Sequence, residues 1–139
     1  MFVLDTNVVA ELRKVRSGRA DPGVARWAEG QPSGLLFVSA ITLYELEHGV
    51  RLAERADAVG GAVLRRWLED SVSAAFVTRV LPVDETVARR AAALQVPEPA
   101  PLRDALIAAT ALVNGMAVVT RNARNFARFD GLDVVNPWS

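Results

Sequence analysis

Three short, almost wholly apolar runs, Met1 to Leu4, Leu35 to Val38 and Met116 to Thr120, each stop at or on a polar residue and are separated by long stretches of helical periodicity. Continuous rather than alternating hydrophobicity over so few residues means a strand buried on both faces, which requires helices above and below the sheet. The intervening helical stretches are long enough to cross from one strand to a parallel neighbour. The chain is therefore expected to form a parallel α/β sheet covered on both sides.

The punctuation between the runs supports this. Asp5 and Thr6 are placed to cap a helix over Thr6 to Lys14 that turns Val9 and Leu12 inward, and Asp21-Pro22 opens a second helix that closes near Gly30. Ser39 caps a helix carrying Leu43, Leu46 and Val50 at core spacing. A further helix follows Asp57, with Gly60 and Gly61 marking its start and Val63, Leu64, Trp67, Leu68 and Val72 facing inward. Arg79 to Val83 reads as a short strand, Asp84 as the cap of a helix to about Gln95, and the proline-rich Val96 to Pro101 as a loop. Leu102 to Asn114 is a helix ended by Gly115, and Val134 to Asn136 a last strand.

With 139 residues, 51% of them hydrophobic, one domain over residues 1–139 with a sizeable core is expected. No cysteine is present and His48 is the single histidine, which excludes disulfides, thiolate chemistry and histidine-rich metal sites. Any metal would be held by oxygen, which favours magnesium or manganese. Asp5 interrupts the N-terminal apolar run, so no secretory signal is read and a cytoplasmic location is expected. The stretch from Ala105 to Val119 falls short of the roughly 20 apolar residues of a membrane span. A formal charge of zero gives no global field for nucleic acid, and fifteen of the 16 basic residues are arginine, as a GC-rich genome would produce.

Three acids stand at the edges of this apolar framework. Asp5 ends the first strand, Glu45 lies early in the helix after the second, and Asp104 opens a helix that is apolar on every face. Functional groups of open parallel sheets gather at the carboxyl ends of strands, and a carboxylate at the mouth of a buried helix needs a compensating charge. Each acid also has a purely structural reading. Asp5 can cap a helix, Asp104 can be a favourable first-turn charge, and Glu45 can complete a Thr-x-x-Glu capping box with Thr42. Composition and spacing leave both readings open.

The segments Asp5-Thr6-Asn7, Leu43 to Gly49 around Glu45, Asp104 to Ala111, Val118 to Asn122, and Val135 to Trp138, taken in this order, resemble the PIN-domain nucleases, in particular the VapC-type toxins of bacterial toxin–antitoxin modules. The resemblance spans the whole chain. It implies a three-layer α/β/α sandwich with a central, mainly parallel sheet, and an acidic pocket that binds magnesium or manganese. It implies an endoribonuclease silenced by a cognate VapB-like antitoxin, and a homodimer. Asp5 and Asp104 would be metal ligands, and Glu45 a ligand or a residue that orients water. Asn7 would hold the first carboxylate, and Thr120 and Asn122 would close the pocket. Many relatives carry another aspartate after Thr120, where this chain has Asn122 and Asn125 and no acid before Asp130. That departure bears on whether a second cation is held.

Arg13, Lys14, Arg16 and Arg19, and Arg121, Arg124 and Arg128, are candidates to guide an RNA backbone, with Arg121 foremost because it adjoins Thr120. His48, Trp27, Trp67 and Trp138 read as packing or helix-surface residues. The alternative to a nuclease is a catalytically weak module that binds antitoxin or RNA. A receiver domain needs a lysine beside its aspartate, and a haloacid-type phosphatase needs an acid where Asn7 stands.

Overall fold

The computed structural model describes residues 1–139. Its first half runs β1 (Phe2–Leu4), α1 (Thr6–Leu12), α2 (Pro22–Glu29), β2 (Leu36–Ser39), α3 (Ala40–Ala56) and α4 (Ala58–Arg66). The second half runs β3 (Val80–Leu81), α5 (Glu85–Leu94), α6 (Leu102–Val113), β4 (Ala117–Val119), α7 (Ala123–Phe126) and β5 (Val134–Val135). The five strands form one sheet in the order β3-β2-β1-β4-β5, and every pairing is parallel. β1 is central, with Phe2 opposite Leu36 on one side and Ala117 on the other.

Neighbouring residues on a strand point to opposite faces, and both faces are filled. Leu4 and Val119 pack with Val8, Val9, Leu46, Val50, Leu68 and Val72 from the α1, α3 and α4 side. Val3 and Val118 pack with Ile107, Ala108, Ala111, Phe126 and Phe129 from the α6 and α7 side. All four strand residues are fully buried, which is why the runs are apolar without alternation. The result is the expected α/β/α sandwich. Trp27 meets Phe2 edge to face, and Trp27, Trp67 and Trp138 all pack against the first of these clusters. No helix is long and apolar enough to cross a membrane.

Side chains of Asp5, Asp21, Ser39, Asp57 and Asp84 cap α1 to α5 in turn. Several boundaries differ from the sequence expectation. α1 ends at Leu12, two residues early, and the β3 pairing covers only Val80 and Leu81. Leu35 lies in a short 3-10 turn before β2 rather than in the strand. Gly60 and Gly61 sit inside α4, which Asp57 starts at Ala58. From Trp67 to Ser73 the helix continues with π geometry. Leu64 of α4 and Leu68 and Val72 of this segment, four residues apart, pack on the core, while Val63 is 48% exposed.

Gly61 shows how closely α3 and α4 approach. A Cβ there would lie 2.4 Å from the Cα of Glu54 and 2.7 Å from its nitrogen, so no side chain fits without moving a helix. At Gly49, also helical, an added Cβ meets nothing within 4 Å. Urea unfolding should separate the two: Gly61→Ala should lose about 1–3 kcal/mol through overpacking. Gly49→Ala should gain roughly 0.5–1 kcal/mol from the reduced freedom of the unfolded chain.

Candidate active site

β1 and β4 lie side by side at the point where the chain's crossovers diverge, and their carboxyl ends carry the first two site residues. The Asp5 amide donates to the Val119 carbonyl at 2.9 Å, extending the β1–β4 pairing by one residue and fixing the Asp5 backbone. The Asp5 side chain is fully buried. One carboxylate oxygen, Oδ1, accepts from the Thr6 amide at 2.7 Å, so Asp5 does cap α1. The other, Oδ2, accepts from the Thr120 hydroxyl at 2.7 Å and from the Asn7 amide group at 3.4 Å. Thr120 Oγ1 in turn accepts from the Asn122 N–H at 3.0 Å.

Two helices deliver the remaining acids. α3 follows β2 and α6 precedes β4, so each begins at the carboxyl end of the sheet. Ser39 caps α3 by accepting from the Ile41 amide, which leaves Glu45 free to turn toward α1. There its Oε1 accepts from the Thr6 hydroxyl at 2.5 Å, and the same hydroxyl lies 3.1 Å from that of the fully buried Thr42. The Thr42–Glu45 capping box is thus not formed. Asp104, 4% exposed, stands in the first turn of α6.

A residue absent from the sequence expectation joins these acids. Arg103 donates from Nη2 to Asp5 Oδ1 at 2.7 Å and to Glu45 Oε1 at 2.8 Å. Its Nε reaches Glu45 Oε2 at 2.7 Å, and Nη1 reaches Asp104 Oδ1 at 2.7 Å. These bonds, first those donated to Glu45, raise the Arg103 pKa even against its burial. Burial alone would raise that of Glu45, but the hydrogen bonds from Arg103 and Thr6 outweigh it and hold the carboxyl below its ordinary range. Three carboxyl groups thus face one guanidinium. A lone arginine in the first turn of an apolar helix, where the helix dipole disfavours a cation, is the signal that could have found it.

As they stand, no three acidic or histidine side chains come close enough together to hold a metal ion directly, and Arg103 bonds to all three acids. The donor set does fit a hard divalent cation. It is all oxygen, it is negatively charged overall, and Asp5, Asp104 and Glu45 already converge on one positive group. Of the other residues singled out, Thr120 and Asn7 touch Asp5, while Asn122 contributes its main-chain N–H. The Arg121 amide donates to Asn7 Oδ1 at 3.2 Å, and its guanidinium packs 5.5 Å from the Trp138 ring.

A family profile described as "PIN domain" matches residues 2–132. The chain belongs to the PIN-domain family. This PIN domain is 38% identical to the VapC ribonuclease Y4jK of Sinorhizobium fredii, over 99% of the chain and 98% of that protein. It superposes on the crystal structure of FitAcB from Neisseria gonorrhoeae with a TM-score of 0.89 at 33% identity, covering 99% of each chain. A toxin–antitoxin complex from Klebsiella pneumoniae matches all of the PIN domain and 99% of its own chain, with 26% identity and a TM-score of 0.70. These matches favour a nuclease of the VapC toxin group over a catalytically weak module that binds antitoxin or RNA.

Two measurements check the electrostatics of the pocket. Thr120→Val leaves Asp5 Oδ2 without its short hydrogen bond and should cost about 1–3 kcal/mol in urea unfolding. Because the folded-state pKa of Glu45 is depressed, its carboxylate stabilises the fold above the ordinary value of 4.5, and this is lost as pH falls through the lower folded value. Glu45→Gln should therefore be less stable than wild type at neutral pH, with the two converging below pH 4.5.

Proposed function

We propose that this PIN domain, a single unit over residues 1–139, is a metal-dependent endoribonuclease toxin that hydrolyses RNA phosphodiester bonds in the cytoplasm. In this reading it is silenced by a cognate VapB-like antitoxin and works as a homodimer. The observation that carries it is the convergence of three carboxylates from β1, α3 and α6, two of them almost wholly buried, on one cation. Acids are placed this way at a cost to the fold, and a hard cation beside a phosphate is the ligand that repays it.

A magnesium or manganese ion held by Asp5, Asp104 and Glu45 would neutralise charge on the scissile phosphate and lower the pKa of water. The chain's own groups do the positioning. Thr6, Asn7 and Thr120 fix both oxygens of Asp5, so its carboxylate cannot rotate as charge develops. Glu45 has the most exposed side chain of the three acids, at 27%, and it stays ionised at neutral pH. Where it is not itself a ligand, it would orient the water that attacks phosphorus and, with that water's pKa lowered, accept its proton, while the leaving ribose oxygen departs on the opposite side. Arg121 and the Asn122 main chain line the rim of the pocket beside Thr120, where an RNA backbone would pass.

The purified chain should cleave RNA in preference to DNA in the presence of magnesium or manganese, and chelation should abolish cleavage. Asp104→Asn should lower the rate at least about a hundredfold, the scale on which removal of transition-state charge stabilisation is felt, with an unchanged circular dichroism spectrum. Undiminished RNA cleavage by this variant, or full activity in chelator, would rule the reading out.

A further inference from the structure

We propose that Arg103 is an internal counter-ion that stands where the divalent cation goes. Cation binding then moves its guanidinium to the pocket mouth, where it becomes a hydrogen-bond donor to the RNA phosphate. This rests on the metal-site reading above and adds an exclusion between two cations, one of them part of the chain.

The oxygens a metal ion needs are the ones Arg103 uses. Asp5 Oδ1, Asp104 Oδ1 and both oxygens of Glu45 each lie 2.7 or 2.8 Å from a guanidinium nitrogen. A magnesium-like ion gathers its oxygens around a single point at roughly 2.0–2.1 Å. The guanidinium instead spreads them over three nitrogens, and in that arrangement no three acids come together for a metal. A guanidinium and a dication within the same bonds would also repel. The acids can serve one or the other.

The balance between the two is open to change. Three acids surround a single guanidinium, so carboxyl groups outnumber the positive charge set among them. Arg103 sits in the first turn of α6, where the helix dipole works against a cation, so the acids are what retain it. Its side chain is 32% exposed, whereas those of Asp5 and Asp104 are 0% and 6% exposed, so the arginine can move outward and these two acids cannot. Once released, its planar fork matches a phosphate oxygen pair. Arg103 is also the one basic side chain bonded to the pocket's acids, since the Arg121 guanidinium packs on Trp138.

The test compares wild type, Arg103→Gln and Arg103→Lys as full chains. Mn2+ binding is followed by electron paramagnetic resonance of the free ion, thermal unfolding is recorded without and with Mn2+, and binding of a 2′-O-methyl oligoribonucleotide is measured at saturating Mn2+. Removing an internal competitor raises the competent fraction of sites, so Arg103→Gln should bind Mn2+ about tenfold tighter or more, with Arg103→Lys between the two. Its metal-free melting temperature should fall, and Mn2+ should restore more of it than Mn2+ adds to wild type. Its oligonucleotide affinity should drop on the order of tenfold, as expected for a lost charge-assisted contact. Arg103→Lys keeps the charge and loses the fork, so its share of the two changes separates displacement of the guanidinium from the bare electrostatic effect of removing a charge. Mn2+ affinity equal to or below that of wild type, or unchanged oligonucleotide affinity, would overturn the inference while leaving the metal site standing. Absence of Mn2+ binding in all three proteins would remove both. If Arg103→Gln does not fold, the Arg103→Lys comparison decides.

Discussion

A carboxylate sealed at the end of the central strand is the constraint around which the upper rim of this PIN domain is arranged. Asp5 is fully buried, and an ionised carboxylate in such a place costs several kcal/mol unless each lone pair is met. The chain meets them from four directions: the Thr6 amide, the Asn7 side chain, the Thr120 hydroxyl and Arg103. Those partners belong to α1, to the turn after β4, and to α6, and Glu45 of α3 is drawn in through Thr6 and Arg103. No buried side-chain polar atom is left without a partner. One acid thus ties together the ends of both helical layers.

The sheet topology makes that arrangement available. With β1 in the middle and crossovers leaving to both sides, the strand ends of β1 and β4 face the starts of α3 and α6. Helix N-termini carry partial positive charge, so the same end of the molecule that collects acids also tempers them. α6 can approach because alanines fill much of its buried surface: Ala108 and Ala111 pack against Val3 and Val118 of the sheet, and Ala105 and Ala109 against Val87 and Ala91 of α5. Small side chains let the helix lie close to the sheet and bring Asp104 to within reach of the group that Asp5 also binds.

Much of this was legible in the sequence because it follows from local rules. Strands buried on both faces announce themselves as unbroken apolar runs, and the capping residues Asp5, Asp21, Ser39 and Asp84 stand where side-chain acceptors are needed. The three acids were visible as charges at the edges of apolar segments. What stayed hidden depends on tertiary distance. Local spacing allows Glu45 either a capping box with Thr42 or a place in the site, and only the fold shows that it bonds Thr6, 39 positions distant. Arg103 looked like one more arginine in an arginine-rich chain, and its role exists only because α6, β1 and α3 meet. Gly61 read as a helix start, since the closeness of α3 to α4 that demands a glycine has no local signature.

A second cluster in the same molecule shows why burial, more than composition, separates a site from a clamp. Arg65 of α4 bonds Glu47 and Glu54 of α3 and Glu69 of the π segment, again three carboxylates around one guanidinium. Arg65 draws the pKa of Glu47 down to about 2, so its ion pairs are well formed. The Arg65 and Arg103 side chains are similarly exposed, at 27% and 32%. The acids differ. Those around Arg65 have side chains 38–54% exposed and can turn to water if the arginine leaves, so its contribution is that of a surface network. Asp5 and Asp104 have no such exit, and loss of their cation would leave charge stranded against the core. Acids that cannot relax need a cation to stay ionised, and that requirement is what would let one cation take the place of another at the end of β1.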